Sequence, residues 1–312
     1  MSKPLVSLLL AALLLSACES SEVDTETTPS AETAFIEFTA DSEIILEEAS
    51  NAGVKMDAEG VLQLVYQDNQ SKGDRITSST KDSDWLEFER GESLKDRTDF
   101  YSVQMPDGTY RTYGYNPTIG LAGETCLTSK ISTGGINFTQ EEGCRYELTD
   151  NDKGTMGVWD VYSTENGEVH LLYIGDMLGK NSVRKAVSTD NGWTFTYVED
   201  NVLGGETFGP ESYVDQRSIR MEDGRILLVA MKQGGIYEFI SEDDGKTFTL
   251  KPEPILTKED YSSLNALSLH DPQLVALPDG RYRIYVTASI DNGGTTGVDI
   301  PPAVLVTATS SL

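Results

Sequence analysis

The stretch STDNGWTFTY at 188–197 has a close copy in SEDDGKTFTL at 241–250. The two copies align without gaps, and the shared positions are Ser188 and Ser241, Asp190 and Asp243, Gly192 and Gly245, Thr194 and Thr247, and Phe195 and Phe248. A polar turn that leads into an aromatic strand is ordinary when it occurs once. Two gapless copies in one chain instead indicate an internal repeat.

A second periodic signal surrounds these copies. Turns of the Asp-Gly type recur at intervals of 48 to 59 residues, and they end at Gly60, Gly108, Gly167, Gly224 and Gly280. Such turns commonly join two antiparallel strands. Runs rich in Val, Ile, Leu and Tyr follow them, as in VLQLVYQD (61–68) and RYRIYVTA (281–288), and these runs are typical of buried strands. A period of this length predicts a propeller or another repeat array.

The pattern S-x-D-x-G-x-T-[FW] resembles the Asp-box, or bacterial neuraminidase repeat, of sialidase-like β-propellers. This resemblance implies a turn between the third and fourth strands of a blade, on the face opposite the substrate site. Aspartate and serine side chains can accept hydrogen bonds from turn amides, and glycine allows a positive φ. We therefore expect a structural role, and not a catalytic one, for Ser188, Asp190, Gly192, Ser241, Asp243 and Gly245.

Together these signals predict an all-β protein, a five-bladed β-propeller of four-stranded blades over residues 34–312. The fifth repeat stops at VLVTATSSL without a fourth strand, which would leave an exposed sheet edge. The segment AFIEFT (34–39) resembles the outer strands WTFTY and KTFTL. We expect this N-terminal strand to close the ring; the alternative is a truncated sequence that has lost a sixth blade.

The first 17 residues have the length and apolar character of a secretory signal. LSAC (15–18) resembles the lipobox of bacterial lipoproteins, which implies cleavage before Cys18 and its lipidation; the alternative is an ordinary signal with a chance cysteine. Residues 18–33 are polar and acidic and predict a disordered tether. Glu19 favours the outer membrane of a Gram-negative cell envelope over the inner membrane. We expect a lipid-anchored monomer.

The remaining cysteines predict a covalent cross-link, and the net charge limits the classes of molecule that the protein can bind. Cys126 and Cys144 flank a strand-turn-strand pattern, and an even pair in an oxidising compartment predicts a disulfide. The formal net charge is −27, which disfavours binding to nucleic acid. The chain shows no serine triad, zinc motif, phosphate loop or nucleotide fingerprint.

Acidic residues recur near the predicted upper end of the inner strands. Counting back eight positions from each turn places Asn51, Asp99, Asp215 and Asp271 at one level. In the third repeat the count gives Val158, but Asp160 lies two residues later on the same strand face. A solvated channel mouth would tolerate such residues. Alternatively they form a carboxylate cluster in which one member stays protonated as a general acid, or one that holds Ca²⁺ on the axis, although no cofactor is required.

The phrase HDPQLVALPDGRYRIYVTA (270–288) resembles a blade of the five-bladed, furanosidase-like glycoside hydrolases. This resemblance implies carboxylates at the starts of inner strands, and Asp271 fits that position. The first blade departs from the pattern because it has Asn51. Glu211, in GPESYVDQRS, is the candidate general acid because it precedes an inner strand; a solvated loop glutamate is the alternative.

A sialidase-type site is harder to assign. That resemblance implies an arginine triad, whose first member lies in an F/Y-R-I-P phrase that this chain lacks. Arg217 and Arg97 could face the axis, with Tyr213 and Tyr101 as aromatic partners or as packing residues. His270 could bind a ligand near the axis, although it could equally pack.

Two functions remain open from the sequence. The first is a cell-envelope lipoprotein that acts on carbohydrate as a glycoside hydrolase of sialidase-like or furanosidase-like type. The second is a non-catalytic propeller that binds a glycan or an envelope protein. Neither the sugar nor the stereochemical outcome follows from the sequence.

Overall fold

A computed structural model describes residues 34–57, 59–81, 83–94, 100–115, 126–135, 137–176, 181–205, 211–291 and 302–311. The signal and tether predicted for 1–33 lie outside these residues. The described chain is almost entirely β-structure, with two 3-10 helices at Asp150–Asp152 and Lys258–Leu264. No helix in this part of the chain is long and apolar enough to cross a membrane.

The strands form five antiparallel sheets, one for each predicted repeat. The first blade contains β3 (Ala49–Met56), β4 (Leu62–Asp68), β5 (Gly73–Ser79) and β6 (Phe88–Ser93). The second contains β7 (Ser102–Gln104), β8 (Tyr110–Tyr115), β9 (Cys126–Ser132) and a two-part outer strand, β10 (Thr139–Gln140) and β11 (Tyr146–Glu147). The third contains β12 (Met156–Ser163), β13 (Val169–Gly175), β14 (Ser182–Ser188) and β15 (Thr196–Glu199).

The fourth blade contains β16 (Val214–Arg220), β17 (Ile226–Lys232), β18 (Gly235–Ser241) and β19 (Thr249–Leu250). The fifth contains β20 (Ala266–Ala276), β21 (Tyr282–Ile290), β22 (Ala303–Ser310) and β1 (Phe38–Ala40), and β2 (Leu46–Glu47) also pairs with β22. Around the axis, the inner strands contact one another in the order β3, β20, β16, β12 and β7. The predicted five-bladed β-propeller of four-stranded blades is confirmed.

Apolar side chains fill the spaces between sheets. Leu172 and Ile174 of the third blade, for example, pack in one buried cluster with Leu228 and Phe239 of the fourth. Because successive side chains of a strand point to opposite faces, a strand buried on both faces needs apolar residues throughout, as in VHLLYIG of β13. The packing between blades fixes the inner strands around the axis.

The N-terminal strand closes the ring, as predicted. In β1, Phe38 pairs with Ser310 and Ala40 pairs with Ala308 of β22. The strand begins four residues later than the predicted start at residue 34. The strand starts late because the amide of Ile36 donates to the side chain of Glu238 at 2.7 Å instead of pairing with a strand.

The repeated turns of the opening motif have the same hydrogen bonds in both copies. Ser188 Oγ accepts from the amide of Gly192 at 2.9 Å, and Asp190 Oδ1 accepts from the amide of Thr194 at 2.8 Å. The second copy repeats these bonds between Ser241 and Gly245 at 2.8 Å and between Asp243 and Thr247 at 2.9 Å. Both glycines have positive φ, 75° and 81°.

Each of these turns also contacts the neighbouring blade. Asn191 Oδ1 accepts from the amide of Asp107 at 3.1 Å, and Asp244 Oδ2 accepts from the amide of Glu165 at 2.8 Å. Both donors lie in the hairpins that follow the inner strands. These hairpins are at the opposite end of the strands from the β-bulges of the candidate site. The turns therefore join successive blades at the end of the ring opposite the candidate site.

The structure contains a disulfide between Cys126 and Cys144, with the sulfurs 2.02 Å apart. Cys126 begins β9, and Cys144 precedes β11, which pairs with β9 through Leu127 and Tyr146. The bond joins two neighbouring segments of one sheet, so it stabilises the edge of the second blade.

The segment that precedes the ring-closing strand contacts a buried carboxyl group, that of Glu238. Its side chain is fully buried, and Oε2 has no hydrogen-bond partner among the described residues. Burial raises the pKa of Glu238 to about 7, against the opposing effects of the Ile36 amide and the charge of Lys251. The charges around it are Glu37, Lys251 and Arg225.

We expect this carboxyl group to make the stability of the protein depend on pH. Because the folded pKa lies above the unfolded value, its contribution is greatest below about pH 4.5 and falls as pH rises to about 7. One pKa unit corresponds to about 1.4 kcal/mol, so the change is on the order of 3 kcal/mol. Urea denaturation of wild type and Glu238→Gln at pH 5 and pH 8 measures it. The variant should gain stability relative to wild type at pH 8, and an equal difference at both pH values would contradict the expectation.

Candidate active site

Four inner strands have a β-bulge at the same level. The pairing register shifts between Ser50 and Gly53, Gly157 and Asp160, Val214 and Arg217, and His270 and Gln273. Inside each bulge one residue has a positive φ; these residues are Asn51 (47°), Val158 (44°), Asp215 (55°) and Asp271 (49°). Asparagine and aspartate tolerate this conformation better than most residues. The bulge turns the following side chains relative to a regular strand.

These bulges surround a cavity of about 550 Å³ at the propeller axis, which is lined by residues from all five blades. Its polar and charged lining includes Asn51, Lys55, Tyr101, Asp160, Asp215, Arg217, Ser218, Asp271 and Gln273. Three aspartates predicted from three different repeats, Asp160, Asp215 and Asp271, are thus brought to one cavity.

Asp215 and Asp271 form a pair of interacting carboxyl groups from adjacent blades. Burial and, to a smaller extent, the charge of Asp271 together raise the pKa of Asp215 to about 6, while Arg217 opposes the shift. Two nearby carboxylates resist simultaneous ionisation, so one member holds a proton at a pH at which an isolated aspartate is ionised. The pair can therefore supply one proton donor and one carboxylate.

Asp160 is the third carboxyl group of the cavity. Burial raises the pKa of Asp160 to about 6, against the charge of Arg217 and a hydrogen bond from Ser218 Oγ at 2.5 Å. Arg217 is held by the backbone oxygen of Gln216 at 2.7 Å and by Gln273 Oε1 at 3.2 Å. The guanidinium group thus lies between two blades, and its charge acts on both Asp160 and Asp215.

Aromatic side chains form part of the wall. Tyr101 packs edge-to-face with Phe100, with ring centroids 5.6 Å apart. A β-carbon at Gly53 would lie 2.5 Å from Tyr101 Cζ, so glycine is required where the tyrosine approaches β3. Trp159 also lines the cavity. Aromatic rings beside polar groups are suited to the apolar faces and hydroxyl groups of sugars.

Three predicted residues do not line the cavity. The carboxylate of Glu211 accepts from Gln233 Nε2 and lies 3.8 Å from Lys232 Nζ, so the general acid predicted there is bonded elsewhere. The ring of Tyr213 is 5% exposed and packs against Tyr237 and Phe239, which makes it a core residue.

His270 is the third of these residues. Its Nε2 lies 2.6 Å from Ser268 Oγ, on the strand that carries Asp271. The β-bulge at Asp271 turns the side chains here relative to a regular strand, and of the two residues Asp271 lines the cavity. Asp99 and Arg97, also predicted for this site, lie outside the described residues.

The Ca²⁺ suggested for the propeller axis stays a prediction. No group of three or more His, Cys, Asp or Glu side chains in the described ranges is placed to hold a metal. The charge of Arg217 already acts on two of the three aspartates and competes with a bound cation.

Sequence reasoning missed Lys55, Trp159, Ser218 and Gln273, which also line the cavity. A signal for one of them was present, because Gln273 lies two residues after Asp271 just as Arg217 lies two residues after Asp215. No comparable pattern marked Lys55, since the other repeats have uncharged residues at its position.

Comparison with solved structures shows the same fold in carbohydrate-active enzymes. An endo-1,4-β-xylanase from Bacteroides thetaiotaomicron has a TM-score of 0.59 and 12% identity over 87% of this chain and 97% of its own. An α-L-arabinofuranosidase from Lactobacillus brevis has a TM-score of 0.59 and 9% identity over 86% of this chain and 94% of its own.

A GH43 protein from Bacillus licheniformis has a TM-score of 0.57 and 12% identity; the match covers 86% of this chain and 54% of that one. Neither the models of protein families nor the curated proteins gave a match to this chain. At these identities the likeness establishes the architecture: the chain has the five-bladed β-propeller fold of these glycoside hydrolases.

Proposed function

We propose that this protein is a glycoside hydrolase of the furanosidase-like type, with its active site in the axial cavity. The observation that carries the proposal is the coupled pair Asp215 and Asp271, together with Asp160, on the wall of one cavity. Glycoside hydrolysis generally needs one protonated and one ionised carboxyl group on either side of the scissile bond. The architecture shared with a xylanase and an arabinofuranosidase supports the same reading.

The roles follow from the electrostatics of the pair. Asp215 is the proton donor to the leaving oxygen, because burial and the charge of Asp271 keep its pKa raised. Asp271 is the ionised partner that acts as base or nucleophile. Asp160 and Arg217 position the substrate and balance the charge around the pair, since the guanidinium acts on both Asp160 and Asp215.

The furanosidase-like type is favoured over the sialidase-like type by the number of arginines. A sialidase-like site implies three arginines. Among the described residues that line the cavity, Arg217 is the one arginine. The substrate expected from this comparison is a glycan with pentose units, as the names of the structural neighbours suggest.

A non-catalytic, glycan-binding propeller is the second candidate, and one feature favours it. The first blade has Asn51 at the bulge position where two other blades have Asp215 and Asp271. In addition, no glutamate is among the described residues of the cavity wall. A site with too few carboxyl groups for catalysis could still bind sugar through Arg217, Tyr101 and Trp159.

An activity screen with chromogenic aryl glycosides tests the proposal. We expect turnover of arabinofuranosides or xylosides and none of sialosides, measured as release of the aryl group. Binding of the matching oligosaccharides, measured by calorimetry, without turnover of any aryl glycoside would instead establish the non-catalytic function.

We also propose that the protein is anchored to the cell envelope through lipid on Cys18. The lipobox-like LSAC and the acidic segment that follows it support this placement. Radiolabelled palmitate should enter the wild-type protein and not the Cys18→Ser variant. Equal labelling of both would show that Cys18 is not the lipid attachment site.

A further inference from the structure

Lys55 is a charged residue at an inner-strand position where the other repeats have uncharged residues. It lies five residues before the hairpin glycine Gly60. The corresponding residues of the other repeats are uncharged, namely Val103, Tyr162, Ile219 and Val275. Of these five residues, Lys55 and Val103 line the cavity, so the first blade brings a cation to the wall where the second blade brings an apolar side chain.

The ammonium group of Lys55 has no partner of opposite charge. No carboxylate of the described chain lies within 4 Å of its Nζ, and no hydrogen bond holds it there. Its contact is with the ring of Phe100, whose centroid is 4.8 Å away. Burial lowers the pKa of Lys55, with the charge of Asp57 opposing the shift. A partly buried cation without an ion pair is unfavourable unless something else compensates for it.

Arg217 provides a second cation in the same cavity. Its Nε and Nη1 atoms are bonded to Gln273 and to backbone oxygens, which fixes the plane of the guanidinium group. Its Nη2 atom has no acceptor in the described part of the chain, so this donor is available to a ligand. The cavity thus offers two positive donors in a protein whose net charge is −27.

The charges are distributed asymmetrically around the cavity. The coupled pair Asp215 and Asp271 belongs to the fourth and fifth blades, whereas the first blade contributes Asn51 and Lys55. An anionic group would be repelled near the aspartates and attracted on the side of Lys55. A neutral glycan needs no such asymmetry, because hydroxyl groups are bound by neutral and charged partners alike.

We propose that Lys55 forms a subsite for an anionic sugar residue, one that bears a carboxylate or a sulfate group. This inference rests on the proposed function, because it names the substrate class of the same site. Lys55 binds the anionic group, while the bond to be cleaved lies toward Asp215 and Asp271. The ring of Phe100, whose centroid is 4.8 Å from Nζ, holds the ammonium group in place through a cation–π contact.

The test compares a neutral xylo-oligosaccharide with the same oligosaccharide carrying a glucuronic acid branch, and with a sulfated form. Affinity is measured by calorimetry on the full-length protein, and kcat/KM is measured where turnover occurs. A charged hydrogen bond to the ligand should give wild type an affinity for an anionic form about 10- to 100-fold above that for the neutral form. Lys55→Met should lose that preference, and Lys55→Arg should restore most of it.

Lys81→Met is the matched control, because Lys81 is an exposed lysine of the same blade that does not line the cavity. Its preference should equal that of wild type. The uronate and sulfate forms distinguish the two sources of negative charge, and a preference for either one supports the subsite. Preference without turnover would refute the hydrolase and keep the subsite. Equal affinity of wild type for the neutral and both anionic forms, or a preference that Lys55→Met retains, would overturn the inference.

Discussion

Asp215→Asn is expected to lower kcat for aryl glycosides by at least 100-fold while the protein stays folded. General acid catalysis commonly contributes 10²- to 10⁴-fold to the rate, and asparagine cannot donate the proton that Asp215 holds. The substitution also preserves the backbone, because asparagine tolerates the positive φ of 55° at this position. The loss should therefore lie in kcat and not in folding.

The pH profile distinguishes the proton donor from a residue that only binds substrate. In wild type, activity should fall as pH rises through about 6, where Asp215 loses its proton. An aryl glycoside with a good leaving group needs less protonation, so the variant should retain more of its activity on such a substrate. Equal losses on good and poor leaving groups would show that Asp215 is not the general acid.

Asp271→Asn provides the second arm of the same experiment. It should abolish turnover on every leaving group, because the ionised partner is lost. Removing one of two repelling carboxyl groups should also hold or raise the melting temperature, since the remaining Asp215 no longer faces a neighbouring negative charge.

The matched control is Asp223→Asn, which removes one carboxylate from the same blade as Asp215. Asp223 lies in the hairpin at the far end of the inner strand, where it accepts from Arg225 Nε at 2.8 Å. Its loss should leave kcat unchanged. If Asp223→Asn reduced turnover as strongly as Asp215→Asn, the effect would come from net charge or folding and not from the cavity.

The sequence predicted the propeller because its signals are local and repeated. Hairpin glycines such as Gly167 and Gly224 need positive φ, and the turns at Asp190 and Asp243 satisfy their own amides within a few residues. Even the ring closure was visible, because the missing fourth strand leaves an edge that AFIEFT can cover. The exact start of β1 could not be predicted from the sequence, because it depends on the buried side chain of Glu238, about 200 residues away in the chain.

The candidate site was predicted less completely. Counting back from the hairpins found Asp215 and Asp271 at the level at which the structure has bulges. Part of that pattern has a conformational cause that the sequence did not reveal: aspartate and asparagine are favoured where φ is positive. Val158 occupies the same bulge position, so the conformation permits an acidic residue without requiring one.

Side-chain direction and long-range contacts account for the remaining differences. Glu211 precedes an inner strand as expected, but Gln233 and Lys232 bind its carboxylate. Tyr213 is one residue before β16, and its ring turns into the core against Phe239. Neither contact has a signature in the sequence near the residue concerned.

Asp152→Ala is expected to cause the largest loss of stability, about 3–5 kcal/mol of unfolding free energy. Asp152 is fully buried between the outer edge of the second blade and the third blade. Its Oδ2 accepts from Tyr146 at 2.9 Å and from the amide of Thr149 at 2.7 Å. Its Oδ1 accepts from Tyr173 at 2.8 Å and from Arg184 Nη1 at 3.0 Å.

The size of the effect follows from what remains after the substitution. Arg184 is 1% exposed, so removal of Asp152 leaves a buried guanidinium whose remaining acidic partner is Asp200, at 3.1 Å. The hydroxyls of Tyr146 and Tyr173 lie 2.6 Å apart, so after the substitution one can donate to the other, and the second loses its acceptor in a buried place. Because Tyr146 belongs to β11 and Arg184 to β14, the loss weakens the contact between two blades and not a single strand.

Urea denaturation measures the effect, with Asp200→Ala as the control. Asp200 binds the same arginine, but its side chain is 39% exposed, so water can replace it and the loss should be below about 1 kcal/mol. Tyr146→Phe should lie between the two, because it removes the buried hydrogen bonds of one hydroxyl, to Asp152 and Tyr173, and no charge. The ranking Asp152→Ala, then Tyr146→Phe, then Asp200→Ala tests the argument directly. If Asp200→Ala were as destabilising as Asp152→Ala, the exposed ion pair and not the buried one would hold the blades together.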